Sequence, residues 1–273
     1  MKKIGVKISV FMMLSCLLVL AACGNKEEKS STDGNEKGKT LIAGTNAAFA
    51  PFEYMDKGKV TGFDVDLVEA VAKEAGYKVE VKHEGWDAML ANLQSKQSDL
   101  AIAGITMNDE RKKTYDFTKP YFEATNMIVV KKESDIKNAL DLKDKKIGVQ
   151  NGTTGQEAAE KILGNNNGNI AKYKNITIAF MALKNNEVDA VVIDNVVGNE
   201  YVKNNPKENL KVVMDKENFD SEFYGMAFPK GSKLTKEFDQ AFQKMIDNGT
   251  YAEIYKKWFK EEPDMESLKK AEK

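Results

Sequence analysis

The chain is 273 residues long, and its 41 lysines and arginines almost balance 42 aspartates and glutamates, for a formal net charge of −1. So even a balance leaves no electrostatic footprint for nucleic acid. One histidine and two cysteines are too few soft ligands for a zinc site, and no metal or other cofactor is expected.

Residues 1–22 read as a secretion signal: Lys2, Lys3 and Lys7 precede an apolar run over residues 8–20. That run is shorter than the roughly 20 apolar residues a membrane span requires. Leu20-Ala21-Ala22-Cys23 resembles the lipobox of bacterial lipoproteins, in which the cysteine is lipidated and becomes the new N-terminus. Cys16 would leave with the signal, so Cys23 would be the one mature cysteine and no disulfide could form within the mature chain. Loss of the three lysines takes the formal charge from −1 to −4. Residues 23–39 are Cys23 followed by a stretch without any large apolar residue, a flexible tether between an anchor and a soluble body. One acyl chain holds a protein only marginally, so more than one on Cys23 is expected.

The remaining residues, roughly 230, suffice for two lobes of ordinary size. Residues 41–45 form a strand, and residues 63–76 follow a helical pattern with Val68, Val71, Ala72 and Ala75 on one face and Gly76 as C-cap. Residues 79–81 give a strand, 86–94 a helix and 100–105 a strand, a β-α-β-α-β order that predicts an α/β lobe with a mostly parallel sheet. A second series follows: strands over 127–130, 147–150, 188–193 and 210–214, with helices over 153–163, 176–185 and 194–203. The stretch 222–228 is strand-like, and 234–247 and 251–259 are helices whose apolar faces need a sheet to cover. If the chain returns to the first lobe, it crosses near 121–126 and 220–224, which gives a two-strand hinge.

In open α/β sheets ligands collect beyond the carboxyl ends of strands. Asn46 and Phe49 follow the first strand, Gly104 and Thr106 the third, and Asn151 to Gly155 and Asp194 follow strands of the second lobe. Asn108 starts a short helix that carries Arg111 back towards Gly104 and Thr106. An arginine from one lobe and an aspartate from the other clamp a zwitterion: Arg111 offers a planar fork to a carboxylate, and Asp194 accepts from an ammonium. Taken singly, Arg111 reads sooner as a surface ion pair with Glu110 or Asp116, and Asp194 as a helix N-cap. The Asn151 to Gly155 turn could present backbone N–H groups to an anion but lacks the lysine of a nucleotide-binding loop. Phe49 and Trp86 are placed to sandwich an aliphatic group, or to pack in the core. No general acid or base beyond Asp194 can be nominated for catalysis, and His83 has no nucleophile to serve.

The segments "TNAAFAPFEY", "GKVTGFDVDLVEAVAKEAG", "GWDAMLANLQSKQSDLAIAGITMNDERKKTYDFTKPY", "IGVQNGTTG", "VDAVVIDN", "YGMAFPKGS" and "NGTYAEIYKKWF" together resemble the polar amino-acid-binding proteins of ABC transporters, above all the glutamine binders. The resemblance implies an α/β, two-lobe type II periplasmic-binding fold with a ligand cleft and a two-strand hinge. It implies lobe 1 over residues 40–123 plus 222–273 and lobe 2 over 124–221. It puts an α-carboxylate on Arg111, the Thr106 backbone and hydroxyl and the Thr154 backbone N–H. The α-ammonium falls on Asp194, the Gly104 carbonyl and the Thr106 hydroxyl, and the side chain between Phe49 and Trp86. Asn46 and Gln150 stand where well-known glutamine binders carry an aspartate and a lysine, so the pocket suits a neutral polar group such as a carboxamide. Ile193 stands where such a binder may carry histidine. The expectation is therefore a monomeric, lipid-anchored receptor on the outer face of a Gram-positive cell membrane, with glutamine as ligand, that docks on an ABC permease. Arginine or histidine is the alternative ligand. An enzyme of the same fold acting on a small carboxylate, or a ligand-sensing module, is the alternative class.

Overall fold

A computed structural model describes residues 38–272. The expected secretion signal, Cys23 and the expected tether up to residue 37 lie outside the described residues. The body opens with β1 (Thr40–Thr45), the small antiparallel sheet β2 (Ala48–Phe49), β3 (Glu53–Asp56) and β4 (Lys59–Thr61), and helix α1 (Phe63–Ala75). Gly76 caps α1 in the left-handed region at φ 91°, and its N–H reaches the Ala72 and Lys73 carbonyls. Then come β5 (Lys78–His83), α2 (Trp86–Gln94), β6 (Leu100–Ala101), α3 (Asp109–Thr114) and β7 (Tyr115–Phe117).

The long strand β8 (Phe122–Lys131) leads into a second series: β9 (Ile147–Gln150), α4 (Thr154–Leu163), β10 (Ile170–Tyr173), α5 (Ile176–Lys184), β11 (Ala190–Asp194), α6 (Asn195–Asn204) and β12 (Leu210–Val213). The chain returns through β13 (Ser221–Tyr224) to β14 (Ala227–Pro229), α7 (Lys233–Asp247), α8 (Thr250–Phe259) and α9 (Met265–Ala271).

Besides that small sheet, two larger ones carry the other strands. The first has the order β5-β1-β6-β14-β7 and the second β10-β9-β11-β8-β12. Each order is mostly parallel, with a single reversed strand, β14 in the first and β8 in the second. Strands β5, β1 and β6 run parallel, but β14 is antiparallel to both β6 and β7. In the second sheet β10, β9 and β11 are parallel, while β8 is antiparallel to β11 and β12. The antiparallel pairs arise where the chain crosses between lobes instead of looping over a helix.

The second lobe shows why its strands read as continuous apolar runs. Along β8, Met127 and Val129 join one core cluster and Ile128 and Val130 the other, and along β11 Val191 and Ile193 alternate with Ala190 and Val192 in the same way. Helices therefore cover both faces, α5 and α6 on one and α4 on the other. The strand expected over 100–105 keeps its ladder only at Leu100–Ala101, and the one expected over 222–228 splits in two. It splits because β13 pairs with the start of β8, from Ser221 opposite Thr125 to Tyr224 opposite Phe122, whereas β14 belongs to the first sheet. Strands β8 and β13 are thus the paired connection between the lobes.

Candidate functional site

All nine positions singled out above, Asn46, Phe49, Trp86, Gly104, Thr106, Arg111, Gln150, Thr154 and Asp194, line one cavity, together with Ala103, Thr153 and Ile193. The first lobe supplies six. Asn46 leaves the end of β1 and Phe49 lies on β2, its ring 5.8 Å from that of Phe52. Trp86 begins α2 after β5. Gly104 sits at φ +55°, where a Cβ would meet the Phe49 ring at 2.8 Å and the Tyr224 ring at 3.3 Å, so only glycine fits. Its N–H donates to Asp64 Oδ2 at 2.9 Å, and the Tyr121 hydroxyl donates to the same oxygen. Burial pushes the Asp64 carboxyl up to about 6, a rise that these two donors oppose.

Helix α3 delivers Arg111. The Asn108 side chain accepts from the Arg111 N–H at 2.9 Å and caps the helix. Neither surface ion pair forms: Glu110 pairs with Lys113 and Asp116 with Lys230. Arg111 is 9% exposed, donates through Nη1 to the Thr106 carbonyl at 3.0 Å and through Nη2 to the Gly152 carbonyl at 3.3 Å, and lies 5.0 Å from the Trp86 ring centre. Burial lowers its pKa, and the nearby Glu157, Glu222 and Asp194 charges oppose that.

The second lobe supplies Gln150 at the end of β9, Thr154 at the start of α4, and Asp194 at the end of β11. Asp194 stands at the N-cap of α6 but makes no side-chain cap bond, and its carboxylate instead accepts a short hydrogen bond from the Tyr224 hydroxyl. Burial, then the charge of Glu222, pushes its carboxyl up to about 7, against the Tyr224 hydroxyl and Arg111. Gln150 is 2% exposed, and its Nε2 has no hydrogen-bond partner. The lobes meet over the cavity: Trp86 Nε1 donates to the Gly152 carbonyl at 3.0 Å, the same oxygen that Arg111 reaches.

The enclosed space accepts a water-sized sphere over only about 20 Å³, room for one or two waters. A bulkier guest must enter a more open arrangement of the lobes. Chemically, the site offers one fixed guanidinium, one carboxylate of raised pKa, two aromatic walls and two carboxamides. His83 is outside it, its Nδ1 accepting from the Ala47 N–H at 3.0 Å. Among the described residues no three histidine, cysteine or acidic side chains are placed to hold a metal ion.

Residues 41–261 match the bacterial extracellular solute-binding proteins, family 3. The chain belongs to that family. It has the type II periplasmic-binding fold of these solute-binding proteins. A solved structure of the arginine-, lysine-, histidine-binding protein ArtJ from Geobacillus stearothermophilus is 57% identical, with a TM-score of 0.83 over 84% of this chain and 99% of that one. An ancestral arginine-binding protein bound to glutamine is 46% identical, with a TM-score of 0.77 over 81% of this chain and 98% of that one. The protein described as "Probable histidine-binding protein" of Neisseria gonorrhoeae is 40% identical over 253 residues, 91% of this chain and 94% of that protein.

Sequence reasoning missed Glu222 and Tyr224 of this solute-binding chain. Both lie on β13, two residues apart, and so on one face of the strand. Tyr224 holds Asp194. Glu222 Oε2 accepts from the Thr106 and Thr154 hydroxyls, each at 2.7 Å, and its Oε1 from Asn126 Nδ2 at 2.5 Å. The strand-like stretch was legible, but the twofold spacing of an acid and a tyrosine on a lobe connection was the signal to follow.

Proposed function

We propose that this protein captures a polar L-amino acid for an ABC importer, with Arg111 taking the α-carboxylate and Asp194 the α-ammonium. The observation that carries this is the convergence of one buried guanidinium and one buried carboxylate, from opposite lobes, on a single enclosed cavity. The Thr106 and Thr154 backbone, the Gly104 carbonyl and the Thr106 hydroxyl complete the cradle, and the ligand side chain lies between Phe49 and Trp86 towards Asn46 and Gln150. No chemistry on the ligand is proposed.

A cationic amino acid, arginine first, is the leading ligand, a reading supported by relatives described as binding arginine, lysine and histidine. Glutamine is the second reading, favoured by the neutral pair Asn46 and Gln150. Residues 40–123 with 222–273 and residues 124–221 act as two lobes that bend about β8 and β13. Ligand binding favours the closed arrangement, which the permease then engages. The same reading includes lipidation of Cys23, which tethers a monomer to the outer face of a Gram-positive cell membrane.

A thermal-shift screen of the twenty amino acids tests it. A true ligand at 100 times its dissociation constant stabilises by about 2.7 kcal/mol, and arginine gives the largest shift. A flat response across all twenty defeats the amino-acid reading.

A further inference from the structure

We infer that Glu53 and Asp64 form a hydrogen-bonded pair of carboxylic acid and carboxylate, sharing one proton, that positions Gly104 as an acceptor for the ligand ammonium. This rests on the reading of the cavity as an amino-acid site. Neither residue lines the cavity; Asp64 stands one hydrogen bond behind it, on the Gly104 N–H, and Glu53 stands behind Asp64.

The way α1 begins brings the two acids together. Glu53 opens β3, and the N–H of Asp64, in the first turn of α1, donates to the carbonyl of the preceding residue, Phe52, at 2.9 Å. Both side chains are wholly buried. Besides each other, the titratable groups that face them are Tyr121, just before β8, and Asp194, at the end of β11, and neither is basic. Were both acids ionised, the two Glu53 oxygens and Asp64 Oδ1 would be buried acceptors without a donor. They would also repel each other where little water screens them. One proton answers both, because it turns an acceptor into a donor.

That proton belongs on Glu53. Asp64 already accepts from the Gly104 N–H and the Tyr121 hydroxyl, each at 2.9 Å, and it stands at a helix N-terminus, which favours negative charge. Glu53 has no donor of its own, and burial, then the Asp64 charge, pushes its carboxyl well above the ordinary range. Asp64 is therefore the anion, held by Tyr121 on one oxygen and by the Glu53 proton on the other. Gripped by that anion, the Gly104 N–H cannot swing, and the left-handed turn at φ +55° keeps its direction. The Gly104 carbonyl, which follows in the chain, then faces the ammonium without having to be ordered by it. The pair also leaves one negative charge, not two, behind the wall that receives a cation.

The test sets two carboxamides against each other, since a mere packing role would treat them alike. Glu53→Gln puts a permanent donor where the shared proton was, and should hold arginine affinity, by calorimetry, within about twofold of the wild type. Asp64→Asn replaces a charged acceptor by a neutral one and should lower that affinity about tenfold, the scale of one charge-assisted hydrogen bond. A Glu53→Gln protein that fails to fold or binds as poorly as Asp64→Asn, or an Asp64→Asn protein that binds like the wild type, overturns the assignment. If Asp64→Asn does not fold, Tyr121→Phe decides: it takes one donor from Asp64 and should weaken arginine about threefold, and unchanged affinity overturns the positioning role.

Two measurements without ligand read the proton itself. Infrared spectra at pH 7 should show a carbonyl stretch of a protonated carboxyl that Glu53→Gln lacks, and superimposable spectra in that region overturn the pair. The unfolded chain releases the Glu53 proton above about pH 4.3, whereas the native state keeps it, so wild-type stability falls as pH rises through that window. The carboxamide has no such proton. The melting temperature of Glu53→Gln should therefore gain on the wild type by about 3 °C per pH unit between pH 5 and 7; the other buried carboxyls are common to both proteins and cancel. A difference that stays constant with pH overturns the shared proton. A wild-type protein that binds no amino acid defeats the functional reading instead, and the ligand-free measurements tell that failure from this one.

Discussion

The two lobes bring unlike halves to the pocket. On the first lobe the site groups are already held in place: Gly104 by Asp64, Phe49 by Phe52, and Arg111 by the Asn108 cap and the Thr106 carbonyl. On the second lobe, Gln150 Nε2 is buried without a partner, and Asp194 is held by Tyr224, which the connecting strand supplies. One half-site is assembled by its own lobe; the other is completed from outside it. That difference predicts an order of events: the ligand first lodges on the first lobe, through its carboxylate, and the second lobe then folds over it.

The largest expected effect comes from removing the centre of the assembled half. Arg111→Ala leaves the ligand carboxylate buried without a partner and should cost about 2–5 kcal/mol of binding energy, with calorimetry as the readout. Gln150→Ala, on the other half, removes a hydrogen bond to a neutral group and should cost about 0.5–1.5 kcal/mol. Equal losses would break the contrast between the halves.

A change of pH probes the second lobe through its carboxylate. Burial pushes the Asp194 carboxyl up to about 7, above its ordinary value of about 3.9. The native state therefore holds a proton that the unfolded chain has already released between pH 4 and 7, so this group's contribution to stability falls as pH rises through that window. Binding has the opposite slope, because an ammonium needs the ionised carboxylate. Affinity for arginine should climb by up to about tenfold per pH unit below 7 and level off above it. Affinity is the cleaner readout, because burial also raises Glu53, Asp64 and Glu222 and the melting temperature mixes them with Asp194. An affinity that does not change between pH 5 and 7 would remove Asp194 from the ammonium site.

Much of this was legible in the sequence, and the reason is periodicity. The continuous apolar runs of β9 and β11 and the amphipathic α1 announce themselves locally, and strand ends then say where side chains such as Thr106 and Asp194 must gather. The cap at Asn108 was legible too, since a helix of six residues turns Arg111 back to the strand that precedes it. The one reversed strand in each sheet was not. Whether β8 lies antiparallel to β11 depends on how the chain crosses between lobes, and no local pattern encodes a crossing. Short strands such as β2, β4 and β7 escaped for a similar reason: two or three residues set no period. Glu222 escaped because an acid in a half-exposed strand is unremarkable until the fold brings Thr106 and Thr154, 116 and 68 residues away, onto it.

The smallest effect addresses the contact by which one half meets the other. Trp86 belongs to the first lobe, and its Nε1 donates to the Gly152 carbonyl of the second at 3.0 Å. Trp86→Phe keeps an aromatic wall for the ligand but deletes that bond, which a lodged ligand does not need and a closed lobe does. Because Arg111 Nη2 still reaches the same oxygen at 3.3 Å, the carbonyl keeps a donor, and the loss should stay near the low end of about 0.5–1.5 kcal/mol. If lodging precedes closure, the loss appears as faster dissociation, with the association rate unchanged in stopped-flow fluorescence. A slower association with unaltered dissociation would mean that Trp86 acts while the ligand is still arriving, and the division of labour between the lobes would have to be redrawn.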